Sequence, residues 1–292
     1  MSRIGTFVHG IFPEQWERRL RDFRDEYLRT YHHEKLPQAI YDTGLKQHSI
    51  SFCTTCMNRF FHLRKTIIRN MESNIRYKRA EFVLVNYNSQ DGLHEWAKKN
   101  LRKYIDAGIL NYYYTPEPKF FHVSIAKNIA HRMAKGEFVC NVDGDNFTGK
   151  DFAFYLNYLI NQFGIDSLFH FRKKPFWGTE GRVALSKAKF LALGGYDESF
   201  FPTGHEDHDL INRARAYGMP YHVIEIENFL HYLSNSTREK SKNFEDPNAY
   251  YYNYESANRE TSNRNIARGE LVANGGILPA VAVYKNFTDE LV

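Results

Sequence analysis

The stretch EFVCNVDGDN, Glu137–Asn146, decides the fold. An apolar strand runs into Asp143, Gly144 and Asp145, so two carboxylates stand at its carboxyl end with a glycine between them. Gly144 carries no side chain to block an approaching ligand. Two hard carboxylates at a strand end suit Mg²⁺ or Mn²⁺, whose remaining ligands are phosphate oxygens. Asp-Gly is also common turn chemistry, and what precedes the strand decides between the readings.

Upstream, HSISFCTT gives a strand at Ser49–Thr54, RFFHLRKTIIRNMES a helix, AEFVLVNYN a second strand and LHEWAKKNLRKYI a helix. ILNYYYT is a third strand, HVSIAKNIAHRMAK a helix closed by Gly136, and EFVCNV the fourth strand. Strands separated by helices of this length predict an α/β fold with a mostly parallel sheet. Ligands bind such sheets beyond the carboxyl ends of the strands, where TTCMNR, NYNSQD and DGDN cluster polar groups. Downstream the order is less regular: DFAFYLNYLINQFG is a helix, SLFHFR and GRVALS are strands, and KAKFLALGGYDESF is a helix broken at Gly194-Gly195. Residues 1–48 read as a polar helical extension, 49–235 as the main domain divided near residue 146, and 236–292 as a wrapping or partly mobile tail.

Composition narrows the function classes. A 42% hydrophobic chain of 292 residues buries one sizeable core. No apolar run is long enough to span a membrane, and the N-terminus lacks a signal-peptide pattern, so a cytoplasmic protein is expected. The arginines of residues 1–48 also allow peripheral contact with a membrane surface. A net charge of +5 suits an anionic small ligand and is too weak to argue for nucleic acid. Three cysteines include one C-x-x-C, Cys53 and Cys56, with no second pair; buried thiols fit better than redox or zinc chemistry. The aromatic fraction, 16%, suits sugar rings, although most of these residues must be core.

A second acidic cluster lies in GHEDHDL, Gly204–Leu210, at the start of a helix. His205 and His208 have the wrong spacing for a metalloprotease motif. Asp209 can pair with Arg213 on a solvated face, which leaves Glu206 and Asp207 as one proton-abstracting base and one acceptor for a hydroxyl. His231, after the strand-like YHVIEIENF, is a lone histidine that could return to the metal. Trp177 lies between the two acidic motifs, where a sugar could stack on its indole or where it is simply core.

SFCTTCMNR, VLVNYNS, SIAKNIAH, VDGDN, GRVALSKAKFLALGGYDE and GHEDHDL occur in that order, and together they resemble a nucleotide-sugar glycosyltransferase of the GT-A fold, family 2 type. The later block is similar to that of β-1,4-galactosyltransferases and polypeptide N-acetylgalactosaminyltransferases. The resemblance implies that Asp145 binds the metal, with Asp143 on the ribose or the metal and His231 as a further ligand. It implies Asp207 as the base, with Glu206 on the acceptor. Thr54, Asn88, Asp91, Lys127, Asn128 and Gly195 fall where such enzymes hold the donor. Two departures stand out. Asn86, Tyr87 and Asn88 occupy the stretch where an aspartate often reads uracil, and Thr203, Gly204 and His205 replace the W-G-G of galactosyltransferases.

The expectation is a metal-dependent, inverting transfer of a hexose or N-acetylhexosamine from a nucleotide diphosphate sugar, UDP-linked, to a hydroxyl of a glycan, lipid-linked or protein acceptor. Two rivals remain. A sugar-phosphate nucleotidyltransferase would want a Gly-rich phosphate loop after the first strand, and CTTCMNRF has no glycine. A non-catalytic nucleotide-sugar or carbohydrate-binding protein would have no need of intact DGD and ED pairs.

Overall fold

The computed structural model describes residues 35–173, 177–201, 203–236, 239, 241–246, 254–278, 281–289 and 291–292. Most of the predicted N-terminal extension therefore lies outside the described residues. A short 3₁₀ turn, Gln38–Tyr41, precedes the first strand.

The elements follow the expected alternation. They are β1 (Ile50–Cys56), α1 (Phe60–Asn74), β2 (Ala80–Tyr87), α2 (Leu93–Asn100), α3 (Arg102–Asp106), β3 (Leu110–Thr115), α4 (Val123–Met133) and β4 (Phe138–Asn141). After the DGD loop come α5 (Phe152–Phe163), β5 (Leu168–Phe171), β6 (Val183–Ser186), α6 (Lys187–Ala192), α7 (Glu206–Ala216) and β7 (Tyr221–Ile224). The C-terminal part adds α8 (Tyr254–Ala267) and β8 (Tyr284–Lys285). One eight-stranded sheet has the order β7-β5-β6-β4-β1-β2-β3-β8. β1 pairs in parallel with β2 and β4, and β2 with β3, whereas β6 runs antiparallel to both β4 and β5.

Helices cover both faces. Leu63, Ile67 and Met71 of α1 repeat every fourth residue and pack with Phe52, Phe82, Phe138 and Phe152 on one face. On the other, Ala126, Ile129 and Ala130 of α4 meet Phe190, Tyr196 and Leu210. Full burial of one such large side chain contributes roughly 1.5–3 kcal/mol, so the two layers hold the strand ends firmly.

Two expectations need correction. The helix expected over 93–105 is two helices, which meet at the fully buried Leu101 (φ −101°, ψ −6°). The strand expected over 221–229 ends at Ile224 and gives way to a 3₁₀ turn at Glu227–Phe229. Described stretches of the C-terminal tail pack against the main domain, in keeping with a wrapping segment. Asn258 and Ser262 of α8 are buried against the start of α7, and β8 pairs with β3 as an edge strand. The glycine break at 194–195 is where expected, with both residues at positive φ, and a Cβ on Gly194 would lie 2.0 Å from the Ala273 carbonyl oxygen.

Candidate active site

The DGD loop is held from beneath by a polar stripe on α1. Thr66, Asn70 and Asn74 lie four residues apart on that helix, and all three are buried. Thr66 Oγ1 donates to the Gly144 carbonyl at 2.7 Å, and Asn70 Nδ2 to the Asn146 carbonyl at 2.9 Å. Asn74 Nδ2 donates to Thr148 Oγ1, also at 2.9 Å. A loop buried behind a helix must satisfy its backbone groups locally, and these side chains do so. Sequence reasoning missed them, although the signal was there: polar residues at i, i+4 and i+8 beside an apolar stripe.

On one side of the loop, three carboxylates and one ammonium converge. α7 begins abruptly, because Gly204 (φ +95°) and His205 (φ +70°) both adopt left-handed geometry. That turn delivers Glu206 and Asp207 inward. Lys127 Nζ, reaching from α4, donates to Asp207 Oδ1 at 2.7 Å and to Glu206 Oε1 at 3.1 Å. The Gly204 N–H donates to the other oxygen of Glu206 at 3.0 Å. The second oxygen of Asp207 faces Asp143: a Cβ added to Gly181 would lie 2.8 Å from Asp207 Oδ2 and 3.0 Å from Asp143 Oδ2. Asn141 Nδ2 fixes Asp143 by donating to its Oδ1 at 3.0 Å.

The electrostatics of the cluster divide the two acidic neighbours. Burial works against ionisation of Glu206, yet the Lys127 ammonium and the Gly204 N–H outweigh it and hold the carboxyl below its ordinary range. For Asp207, burial comes first and the Glu206 and Asp143 carboxylates add to it. Lys127 opposes them only in part, and Asp207 is pushed up to about 7. Burial alone would lower Lys127, but the surrounding carboxylates dominate and hold it well above its ordinary value. It is only 5% exposed and stays charged. Removing one partner of such a pair costs roughly 3–5 kcal/mol.

Asp145 points into a different environment. Arg59, at the start of α1, donates from its guanidinium to Asp145 Oδ2 at 3.1 Å, and Asn235 Nδ2 donates to the same oxygen. The segment carrying Asn235 runs beside the loop: the Leu233 N–H donates to the Asp145 carbonyl at 2.8 Å and the Phe147 N–H to the His231 carbonyl at 2.9 Å. His231 thus lies in the segment beside the loop. Its ring does not join Asp143 and Asp145 in a ligand set. Among the described residues, no group of three or more His, Cys, Asp or Glu side chains could hold a metal ion. The oxygen donors do fit a hard divalent cation bound by one or two carboxylates, because Asp145 already holds a cationic group.

The remaining expected donor contacts divide. Thr54 Oγ1 donates to the Val142 carbonyl at 2.8 Å and ties β1 to the end of β4. Asp91 accepts the Phe60 N–H at 2.8 Å and caps α1. Asn88 (φ +54°) donates to the Pro118 carbonyl at 2.8 Å, just past the end of β2. Asn128 bonds the Tyr196 carbonyl and Glu198, each at 2.8 Å, and a Cβ on Gly195 would lie 2.5 Å from Asn128 Oδ1. Thr54, Asn128 and Gly195 are therefore engaged in holding the fold. Lys127 grips the carboxylates of α7. Trp177 opens a 3₁₀ turn, Trp177–Thr179, and its side chain lies outside what the structure describes. Asp209 pairs with Arg213 as expected, at 2.7 Å, but the pair is buried rather than solvated, and Ser262 Oγ donates to Asp209 at 2.7 Å. The three cysteines are buried and free, and burial pushes Cys56 and Cys140 up to about 12, which leaves them inert.

Residues 165–234, which carry Gly181, Glu206 and Asp207, match the family model for the N-terminal domain of galactosyltransferase. Solved structures resemble a larger part of the chain. S. aureus TarS 1-349 in complex with UDP superposes with a TM-score of 0.51 at 15% identity, over 61% of this chain and 58% of that one. Its complex with UDP-GlcNAc gives 0.58 at 16%, over 77% and 67%. The mannosyltransferase PcManGT from Pyrobaculum calidifontis, in complex with GDP-Man and Mn²⁺, gives 0.51 at 16%, over 72% and 63%. The fold is that of the GT-A glycosyltransferases. No curated protein sequence matches this GT-A chain. Among its described residues no helix is long and apolar enough to cross a membrane.

Proposed function

We propose that the protein is a metal-dependent, inverting glycosyltransferase that moves a hexose or N-acetylhexosamine from a UDP-linked sugar to an acceptor hydroxyl. The observation that carries this reading is the meeting of Asp207 and Asp143 beside Gly181, with Lys127 holding the other oxygen of Asp207. A general base needs one oxygen fixed and one directed at the proton it removes, and a proton affinity near the working pH. Lys127 fixes one oxygen of Asp207, burial raises its proton affinity to about 7, and on this reading the other oxygen meets the acceptor hydroxyl.

The acceptor hydroxyl gives its proton to Asp207 Oδ2 as its oxygen bonds to the anomeric carbon. The bond from that carbon to the diphosphate breaks on the opposite face, so one displacement inverts the centre. Glu206 and Lys127 keep Asp207 in place, and Glu206 has a lone pair left for an acceptor hydroxyl. A divalent cation on Asp145 would neutralise charge gathering on the diphosphate. Nucleotide sugars bound by TarS and by the mannosyltransferase support a donor of that class. The acceptor, whether glycan, lipid-linked or protein, is part of the proposal.

The test is a panel of UDP- and GDP-sugars, each assayed for donor turnover with Mn²⁺ and with EDTA. One donor should turn over in Mn²⁺ and fall to background in EDTA. Turnover unaffected by EDTA would remove the metal, and none with any donor would favour a binding protein.

A further inference from the structure

Asp145 is not free to take a cation as it stands. Arg59 occupies its Oδ2 at 3.1 Å, Asn235 donates to that same oxygen, and Arg59 also donates to Asn235 Oδ1. The three side chains form a closed triangle. It is half sealed from water: Arg59 is 24% exposed and Asp145 14%, which takes the pair out of the class of weak surface ion pairs. Arg59 also lies 3.0 Å from His62 Nδ1, and its Nε is buried without a hydrogen-bond partner among the described residues.

A divalent cation and a guanidinium cannot share one carboxylate oxygen without strong repulsion. A cation arriving at Asp145 must therefore move Arg59 away. A guanidinium displaced inside a partly desolvated cleft is costly unless it finds a new anion. A diphosphate would supply one, since its oxygens match the planar fork of an arginine. Asn235 brings the C-terminal part of the chain into the same triangle, because it sits two residues after Leu233, whose N–H is bonded to the Asp145 carbonyl.

Resting on the nucleotide-sugar reading above, we propose that Arg59 and Asn235 form a latch on Asp145, which a divalent cation and a nucleoside diphosphate open together. Arg59 is then a positioning residue with two partners: the carboxylate in the empty cleft, and the diphosphate when donor is bound. Bare cation binds weakly because it must evict Arg59. The diphosphate strengthens it by receiving the guanidinium, and by linkage the cation strengthens nucleotide binding by the same factor.

Calorimetric titration of the full chain with MnCl₂ tests this, alone and with saturating UDP, then with GDP. Coupling energies between linked sites typically correspond to roughly 5- to 150-fold, so UDP should tighten Mn²⁺ binding to the wild type by at least about tenfold. Arg59→Gln should bind Mn²⁺ alone about tenfold more tightly, and its Mn²⁺–UDP coupling should shrink by a similar factor. Asn235→Ala should shift both quantities in the same direction by less, and it provides the answer if Arg59→Gln fails to fold. Coupled binding in the wild type, with unchanged or weaker Mn²⁺ binding in both variants, overturns the latch while the donor reading stands. No binding of Mn²⁺, UDP or GDP by the wild type overturns both.

Discussion

Asp143 and Asp145 are separated by one glycine, and they meet opposite surroundings. Asp143 faces other carboxylates, Asp207 directly and Glu206 behind it, with Lys127 as the shared cation. Asp145 faces a guanidinium and an amide. The same residue type therefore meets two kinds of surroundings. On the crowded side, burial and the neighbouring carboxylates raise the proton affinity of Asp207, as the proposed base requires. On the other, the carboxylate gathers positive charge and suits a cation. The two carboxylates of one three-residue loop thus meet like charge on one side and opposite charge on the other.

The largest expected effect falls on the crowded side. Asp207→Asn keeps the shape and the bond to Lys127 but cannot take a proton, so kcat should drop roughly 100- to 10,000-fold with little change in donor affinity. Glu206→Gln should cost less in kcat and raise the acceptor KM. Steady-state kinetics on both variants, with donor and acceptor varied separately, check this. Collapse in Glu206→Gln with near-normal turnover in Asp207→Asn would exchange the two roles.

The same crowding has a consequence for stability that needs no substrate. The folded value for Asp207, about 7, lies above its ordinary value of 3.8, so between these limits the folded protein binds more protons than the unfolded chain. Stability contributed by this group is then greatest below the lower limit and is lost as pH rises through about 7. Glu206 has the opposite sign, with stability present above its ordinary value of 4.5 and lost on acidification. Urea unfolding at pH 5 and pH 8 should show the wild type losing stability relative to Asp207→Asn. Parallel behaviour of the two proteins would mean that Asp207 is ionised throughout, and its reading as a base with a proton affinity near the working pH would go with it.

How far this comparison could be read in advance is instructive. The alternation of strands and helices, the loop after β4 and the acidic start of α7 were legible because each is a local pattern of apolar period, glycine and charge. The partners were not. Lys127 meets Glu206 and Asp207 across about eighty residues of chain, and nothing around SIAKNIAH separates an ammonium bound for a carboxylate from one bound for a phosphate. Arg59 and Asn235 are farther apart still, and their triangle exists only once the sheet has formed. The two-residue β8 carries no signal of its own, since only β3 beside it makes it a strand. Thr66, Asn70 and Asn74 were the one readable omission.

A smaller effect tests the gap between the two environments. Gly181→Ala places a methyl carbon within 2.8 Å and 3.0 Å of the facing oxygens of Asp207 and Asp143. The carboxylates must give way, at a cost of the order of 1–3 kcal/mol. Turnover should fall at least about tenfold, since a base displaced by even a fraction of an ångström loses its alignment. Binding of Mn²⁺ should hold, because Asp145 lies on the other side of the loop. Loss of Mn²⁺ binding with turnover intact would show that the two sides are not separate.

The smallest expected effect concerns what keeps the loop between them in place. Thr66 Oγ1 donates to the carbonyl of Gly144, the residue that divides Asp143 from Asp145. Thr66→Val is close to isosteric and removes that donor while keeping the packing. The Thr66 hydroxyl also lies 3.2 Å from the Leu63 carbonyl, so the helix loses a weaker contact as well. A single neutral hydrogen bond contributes about 0.5–1.5 kcal/mol net, and Asn70 and Asn74 still hold the same loop a turn and two turns further along. The expected result is a stability loss of about 1 kcal/mol by urea unfolding, with Mn²⁺ and UDP affinities each weakened by no more than a few-fold. Unchanged stability would mean that water replaces the hydroxyl and that the two asparagines carry the loop. Binding that collapsed while the fold stayed intact would mean that this one bond sets where both carboxylates point, and the stripe on α1 would then belong to the site rather than to its support.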